Sequence, residues 1–232
     1  MKLLALDTST EYCSAALWLQ GEVRAERVHA GQLHSGLLLP MVDTLLRQSG
    51  MALRDLDGIA FGAGPGSFTG LRIACAVTQG LALGADLPVL GISTLASMAH
   101  QTQSPRVLTV LDARMNEVYW AAYERVAEDW RCLSAPALGK PETVTLPDDS
   151  SWAGAGNGLR LLPLGLSANL DDQYADIMPD AAAIAALAAP AFARGEGIDA
   201  ALAAPVYLRD KVAMTADERR LKTHPAPLAQ SA

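Results

Sequence analysis

The sequence is poor in cysteine and in charge, and poorest in positive charge. Its three cysteines, Cys13, Cys75 and Cys132, are odd in number, far apart and without CxxC spacing. Neither a disulfide framework nor a thiolate zinc site is indicated, and buried free thiols are expected. Charged residues make up 19% of the 232 residues, against about 25% in an average globular chain. Eighteen Lys and Arg against 25 Asp and Glu leave a formal net charge of −7. Such a chain has no electrostatic footprint for nucleic acid, so a partner would have to supply most phosphate contacts. Long apolar runs are also missing. Met1 to Leu6 opens like a signal peptide, but Asp7 ends the run far short of an h-region, and no stretch approaches the roughly 18 apolar residues of a membrane helix. A cytoplasmic chain without membrane association is expected.

Half the residues are hydrophobic, enough for one large core or two small ones. Lys2 to Asp7 reads as a buried strand leaving the sheet through a turn at Asp7-Thr8-Ser9-Thr10. Tyr12 to Gln20 and Glu22 to His29 follow as strands joined at Gly21, so the chain opens as a three-stranded meander. From Leu33 to Gln48, Leu33, Leu37, Leu38, Met41, Val42, Leu45 and Leu46 recur at helical spacing, with Pro40 implying a kink or break. Ile59 to Phe61 and Val89 to Ile92 read as strands, Phe68 to Leu83 as a helix with small residues Ala74, Ala76 and Gly80, and Ser93-Thr94 as the start of another helix. The polar stretch from Gln101 to Pro105 marks a domain boundary. Beyond it, Arg106 to Leu111, Glu117 to Tyr123 and, more briefly, Trp130 to Leu133 are strand candidates. Ala181 to Ala193 is an alanine-rich helix interrupted near Pro190, and Pro205 to Arg209 is a short extended piece. The expected units are 1–103, 104–210 and a loose tail over 211–232.

The densest local signal is Phe61-Gly62-Ala63-Gly64-Pro65-Gly66-Ser67-Phe68-Thr69-Gly70-Leu71-Arg72, a strand, tight loop and helix start. Backbone N–H groups at such a junction either bind an anion or let another backbone approach closely. The loop lacks the lysine followed by serine or threonine of a P-loop, which favours the second use.

Together with four other stretches, this loop resembles the bacterial TsaB (YeaZ) family of tRNA threonylcarbamoyladenosine biosynthesis proteins. The others are Leu4 to Ser9, His34-Ser35 with Leu38-Leu39-Pro40, Asp112-Ala113-Arg114 with Glu117-Val118-Tyr119, and Pro205 to Arg209. They occur in the family's order and span nearly the whole chain. The resemblance implies an α/β, two-lobed fold of the actin, sugar-kinase and Hsp70 type (ribonuclease H-like), with mixed five-stranded sheets flanked by helices. It implies a non-catalytic subunit that binds and activates a larger paralogue, TsaD, which transfers threonylcarbamoyl to N6 of the adenosine next to the anticodon. It further implies a ternary complex with the ATPase TsaE, a homodimer in isolation, tRNA met mainly through the complex, and ATP and metal carried by TsaD and TsaE. The family's partner contact implies an interface on the first two helices, at Leu33, Leu37, Leu38, Met41 and Leu45 of one, and Phe68, Arg72, Ala76, Gln79, Gly80 and Leu83 of the other.

No catalytic or metal-binding residue is assigned. In the paralogue two histidines on one helix hold a metal, and ungapped placement puts Thr94 and Met98 at those positions, neither a substitute for imidazole. His100 has no histidine, cysteine or carboxylate at helical spacing to share a metal and reads as a satisfied surface or helix-end histidine. Asp7 is open to two readings: a nucleotide-facing carboxylate, as the superfamily implies, or a turn residue satisfying nearby N–H groups. The first loop offers no Lys or Arg to a phosphate, which favours the turn. The second glycine loop, Gly154 to Gly158, is either an adenosine neighbour or a plain turn. His34 beside Ser35 lacks an acidic orienter and points to a different side of the helix, so a peptidase triad is not indicated. A free-standing enzyme, either a kinase of the actin, sugar-kinase and Hsp70 type or a peptidase, is the alternative reading. Arg72 and Arg209 are expected to pair with acidic neighbours.

Overall fold

The computed structural model describes residues 1–127 and 129–209; the tail expected over 211–232 lies outside them. The opening meander forms as the alternation requires: β1 (Lys2–Asp7), β2 (Tyr12–Leu19) and β3 (Glu22–His29) pair antiparallel. Gln20 and Gly21, at φ of 55° and 105°, make the tight link between β2 and β3. Helix α1 (His34–Gln48) follows, then β4 (Gly58–Gly64), α2 (Phe68–Ala85), β5 (Val89–Ser93) and α3 (Thr94–His100). Strands β4 and β5 run parallel to β1, giving a five-stranded sheet of order β3-β2-β1-β4-β5.

The period of two along β1 divides this sheet's faces. Leu4 and Leu6 enter a core with Leu38, Met41, Val42 and Leu45 of α1 and Ala74, Cys75 and Ala82 of α2. Leu3 and Ala5 point the other way. Each such leucine, fully withdrawn from water, contributes roughly 1.5–3 kcal/mol. Pro40 neither breaks nor ends α1. It cannot donate to the carbonyl of residue 36, but Gly36 and Pro40 both lie on the exposed side, where water can serve that carbonyl.

The second sheet is built from β6 (Arg106–Asp112), β7 (Val118–Val126), β8 (Asp129–Gly139), β9 (Ala153–Ala155) and β10 (Asp172–Tyr174), in the order β10-β9-β6-β7-β8. Short helix α4 (Leu164–Ser167) precedes β10, and α5 (Ala181–Ala193) follows it. The β8 strand is far longer than the Trp130 to Leu133 piece read from sequence. Pro136 hid it, and an edge strand tolerates proline because one row of its N–H groups has no ladder partner. Cys13 and Cys75 are buried as expected; Cys132 is not, because it lies on this exposed edge.

The unit expected over 104–210 does not keep its last helix. Ala181, Ile184, Ala185 and Ala188 of α5 pack with Leu3, Ala5, Ala16 and Ala60 on the open face of the first sheet. That sheet is thereby sandwiched between α1 and α2 on one side and α5 on the other. Pro190 lies within α5 without ending it. After α5, Ile198 bridges to Val89. The chain then returns across α2 as a strap: Gln79 Nε2 donates to the Ala203 carbonyl at 3.1 Å, and Val206 N donates to the Ala63 carbonyl at 2.7 Å. Its end reaches the second sheet, where Arg209 pairs with Glu117 at 2.6 Å.

Candidate functional site: the glycine loop, the cleft and the two-helix face

The glycine loop is used for close approach of backbone to backbone. A Cβ on Gly70 would fall 1.8 Å from the Thr8 carbonyl oxygen, and one on Gly66 would fall 2.6 Å from that of Ser9. The contacts are bonded as well as close. Ser67 N donates to the Ser9 carbonyl at 2.7 Å, and Thr8 Oγ1 donates to the Gly70 carbonyl at 2.6 Å. Ser67 caps α2, its hydroxyl accepting from Gly70 N at 3.4 Å. Two hydrogen bonds, Ser67 N to the Ser9 carbonyl and Thr8 Oγ1 to the Gly70 carbonyl, therefore lock the start of α2 onto the β1–β2 turn.

Asp7 lies beneath this junction, fully buried. Its Oδ2 accepts from Ser9 N at 3.3 Å and Ser9 Oγ at 3.0 Å, the turn geometry that the sequence favours. Its Oδ1 has no hydrogen-bond partner among the described residues. Burial raises the carboxyl to about 7, with Asp180 pushing the same way, while the Ser9 hydrogen bonds and Arg27 act against the rise.

A cleft of 740 Å³ opens between the two sheets, lined by the glycine loop, the β6–β7 turn and the strap. Asp7 is not among its lining residues; Ser9, His34, Asp112, Asn157 and Arg209 are. His34 Nε2 lies 2.8 Å from the Thr10 carbonyl and 3.2 Å from that of Tyr12. Both are acceptors, so that nitrogen carries the proton, and the ring ties α1 to the first turn. Arg209 meets Glu117, as expected of a paired cation. The second glycine loop is a turn: Gly156 has φ of 111°, and a Cβ there would fall 2.2 Å from both Met98 Cε and the Val110 carbonyl oxygen. Thr94 donates to the Pro65 carbonyl at 2.5 Å, and Met98 is fully buried. His100 accepts from the Trp130 indole at 3.3 Å. Among the described residues, no three His, Cys, Asp or Glu side chains converge.

The stripe expected as a partner interface divides in two. Leu38, Met41 and Leu45 are at most 6% exposed and belong to this chain's own core; they cannot face another protein, and the same holds for Val42. Leu33 is 67% exposed and Leu37 partly so. On α2 the expectation fares differently. Arg72, Ala76, Gly80 and Leu83 are exposed, and Phe68 and Gln79 are partly exposed, while Gly70, Leu71, Ala74, Cys75, Thr78 and Ala82 face the sheet. Gly80 and Gly84 have open space where a Cβ would stand. By length and mean hydropathy of 1.2 this helix would also suit a membrane span. Its packing on β4 accounts for one apolar side; the side that carries Ala76, Gly80 and Leu83 lies open among the described residues.

Sequence reasoning missed two residues on this face. Leu39 is 48% exposed, outside the assigned stripe. Tyr207, within a quoted motif but without a role, packs on Phe68 with ring centroids 4.8 Å apart. Arg72 is expected from the sequence to pair with an acid, and no acid among the described residues meets it. Its guanidinium lies over Phe68, 3.8 Å from the ring centroid, and its Nε donates to Tyr207 Oη at 3.0 Å.

Comparison with known proteins agrees with this architecture. Residues 27–161 match the family model described as TsaD: tRNA N6-adenosine threonylcarbamoyltransferase. The chain is 41% identical over 223 residues to the tRNA threonylcarbamoyladenosine biosynthesis protein TsaB of Escherichia coli, covering 92% of this chain and 96% of that protein. It is 39% identical to the TsaB of Haemophilus influenzae, over 91% of this chain and 95% of that one. A solved structure of YeaZ from Pseudomonas aeruginosa superposes with a TM-score of 0.84 at 43% identity, covering 89% of this chain and 99% of that chain. With its two mixed five-stranded sheets and their flanking helices, the chain belongs to the TsaB (YeaZ) family of tRNA threonylcarbamoyladenosine biosynthesis proteins.

Proposed function

We propose that this protein is a non-catalytic subunit that docks a TsaD-type threonylcarbamoyltransferase through the exposed face of α1 and α2 and holds it in a transfer-competent state. One observation carries the reading: α2 turns Ala76, Gly80, Leu83 and Gly84 outward, and nothing among the described residues covers them. Small residues let a partner helix come close, and an open apolar face beside a well-packed sheet is the property of an interface. The buried Thr94 and Met98 support the non-catalytic part, since neither offers a metal an imidazole. Nucleotide and metal then belong to TsaD and TsaE, tRNA is met through the complex in the cytoplasm, and in isolation the same face pairs two copies of this chain.

The test is to purify the chain with TsaD and determine the mass of the complex by size exclusion and light scattering, then assay tRNA. A one-to-one complex is expected, with modification only when both proteins and the ATPase are present. Threonylcarbamoylation of tRNA by this chain alone would overturn the reading.

A further inference from the structure

We infer that Arg72 is a recognition residue for a carboxylate, an Asp or Glu presented by a helix of the docking partner; this rests on the docking reading above. Arg72 is the sole charged residue of α2. On α1 the charges are Asp43 and Arg47, and they satisfy each other at 2.8 Å. Across the two helices, Arg72 is thus the one charge without an opposite charge among the described residues. Covering an arginine with a partner while leaving it unpaired is unfavourable, so a partner that brings a negative group to this face binds it more tightly than one that does not.

The local geometry is already set for it. Phe68 supports the guanidinium plane from below, and Tyr207 Oη takes the Nε hydrogen. Tyr207 in turn packs against Phe68. The two terminal nitrogens are left with no bond among the described residues, held in one plane at the exposed end of the small-residue face. A guanidinium fixed in this way presents a fork that fits a carboxylate with two parallel hydrogen bonds. Because the side chain is ordered before binding, less rotamer freedom is lost on docking.

Two other occupants fit less well. An RNA phosphate would find one cation in an acidic chain of net charge −7, with Arg47 already paired to Asp43. A second copy of this chain would offer, from these helices, only that same paired Asp43.

The test uses the full chain and its TsaD partner, with the Kd measured at low and high salt. Arg72→Gln should weaken the complex at least about tenfold, Arg72→Glu more, and Arg72→Lys less. The salt dependence of the wild-type Kd should flatten in Arg72→Gln, and thermal unfolding of each variant should match wild type. Reversing the partner's acidic residues one at a time to Arg should find one that restores binding to Arg72→Glu. If wild type binds and Arg72→Gln binds equally well with the same salt slope, the carboxylate inference falls and docking stands. If wild type does not bind at all, the docking reading itself falls. Failure of every acidic reversal to restore binding overturns the inference, as does an effect confined to self-association or to tRNA affinity.

Discussion

Asp7 Oδ1 occupies the place where a side chain at residue 62 would begin: a Cβ built on Gly62 falls 2.1 Å from it. The glycine loop is therefore shaped by what lies beneath it, a buried carboxylate and the carbonyls of the β1–β2 turn. Its glycines are steric requirements of the junction that launches α2, and α2 is the helix whose outer face is proposed to dock.

Gly70→Ala and Gly80→Ala should move stability in opposite directions. The Gly70 methyl would fall 1.8 Å from the backbone carbonyl of Thr8, which cannot yield without breaking the Thr8 hydroxyl bond to the Gly70 carbonyl. A loss of about 3 kcal/mol or more is expected. Gly80 has open space around it in a helix interior, so alanine there should add about 0.5–1 kcal/mol. Urea denaturation of the two variants decides it, and a Gly70→Ala protein as stable as wild type would contradict the tight junction.

Asp7 predicts a pH dependence of stability. The folded-state carboxyl is raised from 3.8 to about 7, chiefly by burial, so the folded protein retains this proton over a range where the unfolded chain has released it. The favourable contribution is fully present below the unfolded value and is lost as pH rises through about 7. Between about pH 4 and 8 the loss should be on the order of 4 kcal/mol. Asp7→Asn cannot ionise, so this part of the slope should vanish and the variant should exceed wild type at about pH 8. Denaturant midpoints across the range provide the measurement; parallel curves for the two proteins would show that Asp7 ionises freely.

Met41 and Ala76 separate core from interface. Both lie on helices read from sequence as partner-facing, but Met41 is 6% exposed within the first core while Ala76 faces outward. Met41→Lys should cost about 3 kcal/mol or more by placing a charge among apolar side chains. Ala76→Arg should leave thermal unfolding within about a degree or two of wild type and abolish both the TsaD complex and self-pairing. Light scattering beside a thermal melt distinguishes the two effects. An Ala76→Arg protein that still forms the complex would move the interface elsewhere.

What was legible in the sequence follows from the physics of each signal. Period-two alternation revealed the meander, and helical spacing revealed α1 and α2, because each has one face in the core and one outside it. Periodicity could not say which face of α1 was inward, since Leu33, Leu37, Leu38 and Leu39 nearly encircle the helix. Nor could it place α5, which is apolar all round and returns from the second sheet to cover the first. The β8 strand was obscured by Pro136, which only its position at the sheet edge makes acceptable. The Arg72, Phe68 and Tyr207 group was invisible because Arg72 and Tyr207 are 135 residues apart and no local pattern joins them.

Introducing two histidines at Thr94 and Met98 should not create a metal site. The spacing would place both rings on one side of α3, as a metal requires, but that side is already filled. The Thr94 hydroxyl is bonded to the Pro65 carbonyl, and Met98 Cε occupies the space that a Cβ on Gly156 would need. Replacing a fully buried methionine by an imidazole sacrifices packing and buries a polar ring among Leu95, Val107 and Ala155. The double variant should therefore lose about 2–5 kcal/mol and retain less than stoichiometric zinc after desalting, as read by calorimetric melting and metal analysis. Stoichiometric zinc together with a raised melting temperature would mean that the cavity of a metal centre persists here, and the non-catalytic reading would lose its structural support.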